Sequence, residues 1–252
     1  MDRLIYTSLT AMRGSMARQT AIANNLANAN TPGFRADLAE AQSLWLKSGG
    51  LDGKKLDTRA FASEEVLAAD MTGGTVTSTG RDLDIALVGD AMLAVQADNG
   101  EIGYTRRGDL MLSASGLLTT GDGKPVQGSQ GPLTLPPTDA VNIDEQGRVW
   151  IVPQGGDPAQ PQQLDQLQIV SPAGSDVVKG MDGLFRVRGG GVLPQDPDAR
   201  VTTRSLESSN VSATEALVKM IEASRSWDTQ LKLLSDARDM DAATADLMSL
   251  PQ

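Results

Sequence analysis

A chain of 252 residues is long enough to bury a sizeable core, in one large domain or two small ones. It contains no cysteine and no histidine, which removes disulfides, thiolate sites, the commonest general base and the commonest metal ligand. Acidic side chains number 32 against 22 basic ones, for a net charge of −10, so neither nucleic acid nor an anionic membrane is expected as the main partner.

The N-terminus, Met1-Asp2-Arg3-Leu4-Ile5-Tyr6-Thr7, has no continuous apolar core and is followed by Arg13 and Arg18. A secretory signal peptide is therefore not expected, and no run of about 18 apolar residues predicts a membrane span. From Ile5 the positions Leu9, Met12, Met16, Gln19, Ala23 and Leu26 step by four and three, which predicts a helix with a heptad-type seam. The run Asn28-Ala29-Asn30-Thr31-Pro32-Gly33 ends it, because Pro32 disfavours the helical conformation at Thr31 and Gly33 permits a turn. Residues 1–35 are thus read as an N-terminal helical segment. Residues 36–74 are read as a connecting segment: Ala36 to Lys47 extends or follows the helix, and Ser48-Gly49-Gly50 to Gly74 forms a linker of mixed structure.

Residues 75–204 carry short apolar runs cut by turn signals. Leu83, Ile85 and Leu87 alternate with Asp84, Ala86 and Val88 before Gly89-Asp90, and Leu93, Val95 and Ala97 precede Asp98-Asn99-Gly100. Asn-Gly is a strong hairpin signal, and Ser115-Gly116, Gly121-Asp122-Gly123 and Glu145-Gln146-Gly147 continue the series. An irregular sandwich or barrel is expected. Aromatic residues are only 3% while Gly reaches 26, so its core must rest on aliphatic side chains between enforced turns. In residues 205–252, Ser212-Ala213-Thr214-Glu215 reads as a capping box. Ala213, Leu217, Met220, Ser224, Trp227, Leu231 and Leu234 then form a second seam, supported by Glu215–Lys219 and Asp228–Lys232 at i,i+4. The predicted architecture is α+β: long N- and C-terminal helices forming a coiled-coil-like module, with a central, mainly-β domain. The seams suit pairing with each other, with neighbouring copies, or both.

Signals for chemistry are sparse. Asp98, Asp122, Asp144-Glu145, Asp157 and Asp165 sit beside turn residues, where carboxylates serve the turn itself. No stretch has the spacing of a calcium loop, and Gly73-Gly74 and Gly189-Gly190-Gly191 lack the Lys-Ser/Thr of a phosphate cradle. Trp45, Trp150 and Trp227 are too scattered for a stacking platform. No catalytic residue, cofactor or metal is expected; a hydrolase would need a carboxylate pair, a Ser–Lys arrangement or a bound metal, and one that trims cell-wall glycan an acidic pair in a cleft.

The run Ala23-Asn24-Asn25-Leu26-Ala27-Asn28-Ala29-Asn30-Thr31-Pro32-Gly33-Phe34-Arg35 resembles the N-terminal signature of the flagellar rod and hook family. Two further stretches resemble it in the right order. One is Thr79-Gly80-Arg81-Asp82-Leu83-Asp84-Ile85-Ala86-Leu87-Val88-Gly89-Asp90 with Tyr104-Thr105-Arg106-Arg107-Gly108-Asp109; the other is Leu206-Glu207-Ser208-Ser209-Asn210-Val211 before the second helix. The opening Met1 to Tyr6 and the run Thr31 to Ala36 are more similar to a proximal-rod member than to the distal rod member; a low-copy junction or adaptor protein is the remaining alternative. Ser208, Ala91-Met92-Leu93 and Trp227 depart from the usual pattern, so no family contact is carried over at residues 92 and 93.

The resemblance implies a structural subunit of the basal-body rod in the periplasmic space. It implies export through the flagellar type III apparatus without a cleaved signal peptide, and helical stacking with copies of itself and other rod proteins to carry torque. Direct membrane insertion and nucleic-acid binding are not implied. The assembly interface is expected at Ile5, Leu9, Met12 and Met16 and at Leu217, Met220, Trp227, Leu231 and Leu234. It is also expected at Asn24, Asn25, Leu26, Asn28, Pro32, Gly33, Phe34, Leu206, Asn210 and Val211. The Asn24, Asn25 and Asn28 amides are expected to fix the chain's exit from the helical layer by bonding backbone groups.

Overall fold

The computed structural model describes residues 2–44 and 61–249. Trp45, the Ser48-Gly49-Gly50 start of the expected linker and the side chain of Ile5 lie outside what is described. Helix α1 spans Asp2–Ala27. Strands follow as β1 (Asp37–Leu44), β2 (Phe61–Ala69), β3 (Val76–Ser78), β4 (Ile85–Leu87), β5 (Met92–Gln96) and β6 (Ile102–Thr105). The chain continues through β7 (Leu110–Leu112), β8 (Leu118–Thr120), β9 (Gln127–Gly128), β10 (Gly131–Pro132), β11 (Thr138–Ile143) and β12 (Arg148–Pro153). It ends with β13 (Gln162–Gln166), β14 (Ile169–Val170), β15 (Val177–Lys179), β16 (Phe185–Val187), β17 (Val201–Thr203), β18 (Ser205–Glu207) and helix α2 (Ala213–Ser249).

These elements fall into two units. One holds residues 1–27, 37–68 and 213–252; the other holds 28–36 and 69–212. In the first, α1 and α2 touch, and β1 pairs with β2. The expected coiled-coil-like module is not what the structure shows: a single helix stands at each end of a mainly-β middle, and four of the apolar knobs such a module needs stay in solvent. Leu9 and Met16 of α1 and Leu217 and Leu231 of α2 are all exposed. The buried face of α1 is instead Gly14, Ser15, Ala21 and Ile22, nearly half a turn from Leu9 and Met16 at about 100° per residue. On α2 only Ala216 is fully buried among the described positions, with Met220, Ala223, Trp227, Gln230 and Leu234 half-covered on its side. On α1 the covered positions are therefore mostly small residues, Gly, Ser and Ala, rather than Leu9 and Met16. The capping reading fits the start of α2, which begins directly after Ser212, and Glu215 pairs with Lys219 at 2.7 Å.

The second unit also corrects the expectation of one sandwich or barrel. Its strands, two to six residues long, divide among small sheets. The largest has the order β14-β5-β6-β16-β15, the next β11-β12-β13, and β3–β18, β4–β17, β7–β8 and β9–β10 are pairs. Strands this short, interrupted so often by turns, cannot propagate a continuous ladder. The β5–β6 hairpin turns at Asn99-Gly100, with Leu93 opposite Thr105 and Gly100 at φ +83°. Strand β5 is buried on both faces: Leu93 and Val95 join the larger apolar cluster with Ile85, Leu118, Val126 and Ile151. Met92 and Ala94 join a second cluster with Tyr104, Val170, Phe185 and Leu193. Tyr104 stays satisfied there because its hydroxyl accepts a 2.7 Å bond from the Leu193 N–H.

Candidate functional site

The residues that carry the sequence signature meet inside the β unit. After α1 ends at Ala27, the Thr31 N–H donates to the Asn28 carbonyl at 3.1 Å, and the Thr31 hydroxyl donates to Asn28 Oδ1 at 3.1 Å. Pro32 then prevents further helix, and Gly33 turns the chain at φ +67°. Gly33 is required twice over, since a Cβ there would stand 2.2 Å from the Arg106 carbonyl oxygen. Its N–H donates to the Glu207 carbonyl at 2.8 Å, joining the first signature to the third. Next along the loop, Lys179 Nζ sits 3.6 Å from the centre of the Phe34 ring and donates to the Arg35 carbonyl at 2.7 Å.

Arg35, Arg106 and Glu207 form a buried charged cluster, with relative exposures of 1%, 4% and 3%. Arg35 Nη2 lies 2.7 Å from Glu207 Oε1, which also accepts the Gly74 N–H at 2.8 Å. Glu207 Oε2 receives Arg106 Nε at 2.9 Å and Nη2 at 2.7 Å. The rest of the Arg106 guanidinium is spent on backbone carbonyls: Gly89 at 2.6 Å, Ala91 at 2.8 Å and Leu87 at 2.8 Å. Arg35 is less well served, with Nε and Nη1 buried and no hydrogen-bond partner among the described residues. Burial pushes the Arg35 pKa down, against the hydrogen bond and charge of Glu207, with Arg106 adding repulsion. For Glu207, burial by itself would raise the pKa, but the hydrogen bonds and charge of Arg106, aided by Arg35 and the Gly74 N–H, outweigh it and hold the carboxyl below its ordinary value.

Asn210 closes the other end of the loop. Its Oδ1 accepts the Ala36 N–H at 2.8 Å, while its Nδ2 donates to the Asp70 carbonyl at 2.9 Å and the Thr72 carbonyl at 3.1 Å. Leu206 lies on β18, where it pairs with Thr77 of β3, and Val211 follows half-buried. In the helical unit, Asn25 grips the backbone of Asp37 from both sides: Asp37 N–H donates to Oδ1 at 2.7 Å, and Nδ2 donates to the Asp37 carbonyl at 2.9 Å. Asn24 donates to the Asp37 carboxylate, and Leu26 is half-buried. The structure therefore gathers Asn28, Pro32, Gly33, Phe34, Leu206 and Asn210, while Leu9, Met12, Met16, Leu217, Met220, Trp227, Leu231 and Leu234 are spread along two helices. Sequence reasoning passed over Arg35, Arg106, Glu207 and Lys179 as site residues. The signal available was that the first three are charged residues inside the three signature runs.

A groove of about 320 Å³ lined by Ala140, Asn142, Asp144, Trp150, Val152 and Pro161 is the place to look for an acid. The Asp144 carboxylate there is engaged by the Gln146 and Arg148 N–H groups, by Arg148 Nε at 2.7 Å and by Trp150 Nε1 at 3.1 Å. Burial would raise its pKa, yet these donors hold it below the ordinary value, so it stays ionised and is poorly placed as a general acid. Among the described residues no group of three His, Cys, Asp or Glu could hold a metal, and no helix is long and apolar enough to cross a membrane.

Comparison with known proteins accounts for the three runs together. Residues 5–35 match the family described as flagella basal body rod protein, 86–151 the flagellar hook protein FlgE/F/G D1 domain, and 203–247 the flagellar basal body rod FlgEFG protein C-terminal. The basal-body rod protein FlgF of Escherichia coli is 37% identical, over 99% of this chain and all of the relative. The chain belongs to the flagellar basal-body rod protein family. FlgF of Salmonella typhimurium is 36% identical over the same shares, against 31% for FlgG of Caulobacter vibrioides, which covers 97% of this chain and 99% of the relative. The family likeness therefore runs to FlgF ahead of FlgG. As a rod protein the chain is a structural subunit of the flagellar basal body and assembles with other rod proteins.

Proposed function

We propose that this chain occupies the proximal rod and is held to copies of itself and to neighbouring rod proteins by apolar side chains that α1 and α2 leave in solvent. The observation that carries this reading is the exposure of Leu9 and Met16 on α1 and of Leu217, Val218, Ile221, Leu231, Leu233 and Met240 on α2. Single exposed apolar residues are ordinary; eight large ones on two helices of a family that assembles are an interface. Stacked helically, such subunits carry torque from motor to hook. Export through the flagellar type III apparatus to the periplasmic stretch of the rod is supported by a cysteine-free sequence, which has no disulfide to resist threading. The engaged turn carboxylates favour a structural role without catalysis.

Replacing Leu231 with Asp tests the reading, since that side chain is 44% exposed. Purified hook–basal bodies should lose the subunit and cells should lose motility, while the isolated chain keeps its unfolding midpoint. Normal incorporation of the variant would defeat the proposal. Quantitative mass spectrometry of the wild-type particles then separates positions in the rod: a few copies per particle indicates the proximal rod, and abundance matching the distal rod protein indicates the FlgG-like alternative.

A further inference from the structure

We infer that Arg35, Glu207 and Arg106 form a latch that locks the loop of residues 28–36 onto the β unit, and that this latch opens without unfolding the β core. The loop contributes no side chain to either apolar cluster of the unit among the described residues. What holds it is polar: Gly33 N–H on the Glu207 carbonyl, Arg35 on the Glu207 carboxylate, Ala36 N–H on Asn210 Oδ1, and Asp70 N–H on the Ala36 carbonyl at 2.8 Å. Polar contacts of this kind contribute little net stability each, because opening exchanges them for water.

The cluster is also lopsided in a way that suits a latch. Arg106 keeps a two-pronged bond to Glu207 and three backbone carbonyls whether or not Arg35 is present. Among the described residues Arg35 has one ionic partner, two buried nitrogens without a hydrogen-bond partner and a like charge in Arg106 nearby. Its desolvation cost is recovered when the loop opens, so closure is favoured only modestly, and the core-facing half stays satisfied in either state. The latch also spans the chain. Its bolt is at residue 35, and its catch, Glu207 with Asn210, lies just before α2, so the loop locks only once the segment from β18 to Asn210 is in place.

Hydrogen exchange of the full-length chain, read at single amides, tests this. In the wild type the Gly33 and Ala36 amides should exchange at least about tenfold faster than those of Ala94 and Val126, which bond the Gln168 and Leu118 carbonyls inside the core. Arg35→Ala should speed Gly33 and Ala36 by a further factor of about ten and leave Ala94 and Val126 within about twofold. Arg106→Ala, which removes the carbonyl contacts as well, should accelerate both sets. Equal protection of loop and core amides in the wild type would overturn the latch, and this comparison holds even where a variant fails to fold. Equal acceleration of both sets in Arg35→Ala, or no acceleration of the loop, would overturn it too.

Discussion

The β unit and the two helices treat their side chains in opposite ways. In the β unit, apolar residues reach nearly complete burial, with Met92, Leu93, Tyr104, Leu118 and Val126 all at 0% exposure, and even a charged cluster is enclosed and paired. On α1 and α2 the faces carrying Leu9, Met16, Leu217 and Leu231 meet solvent. One region closes on itself; the other, on the reading proposed above, is closed by neighbouring subunits. If the exposed helix faces carry assembly as proposed, substitutions in the two regions should fail in different assays.

The sharpest way to break the contrast is at Glu207. Glu207→Ala leaves two buried guanidinium groups without their counter-charge and should cost about 3–5 kcal/mol in urea unfolding of the full chain. Leu93→Ala opens a cavity in the larger cluster and should cost about 3 kcal/mol by the same measurement. Gly33→Ala forces a Cβ against the Arg106 carbonyl at positive φ and should cost about 2 kcal/mol, detected as a lowered urea midpoint.

Acid sharpens the comparison further. The folded-state pKa of Glu207 lies below its unfolded value, so the carboxylate's contribution is fully present above the ordinary carboxylate range near about 4 and is lost as pH falls through the depressed folded value. Asp122, Asp144 and Asp182 are depressed as well and act with the same sign. Midpoints measured across the acid range should therefore fall below pH ~4, and fall less steeply in Glu207→Gln. The smallest effect on stability is expected on the helices, where Leu231→Asp should change the unfolding free energy by less than about 0.5 kcal/mol while abolishing incorporation. A large stability loss in that variant would erase the contrast between the regions.

How far the sequence could be read follows the range of the forces involved. The end of α1 near Asn28, the start of α2 after Ser212 and the hairpin at Asn99-Gly100 are set by residues within a few positions of each other, and each was legible. Helix faces were not. The four-and-three spacing of Leu9, Met12 and Met16 marks an apolar stripe, but spacing alone does not say whether a stripe is buried within the chain or left for a neighbour. The covered face of α1 is the one that carries Gly14, Ser15 and Ala21. Likewise β5 showed one alternating face in the sequence, Leu93 and Val95, yet Met92 and Ala94 are buried too, because a second cluster lies on the other side.

The sequence by itself determined a disulfide-free, acidic chain with a helix at each end, a turn-rich β middle and three runs that mark the rod family, since composition, local backbone preference and short motifs all act along the chain. Only the tertiary structure decided that Arg35, Arg106 and Glu207, separated by 71 and 101 positions taken in turn along the sequence, share one buried site. A charge can be enclosed only where an opposite charge from a distant segment arrives to meet it, and no local pattern records that meeting.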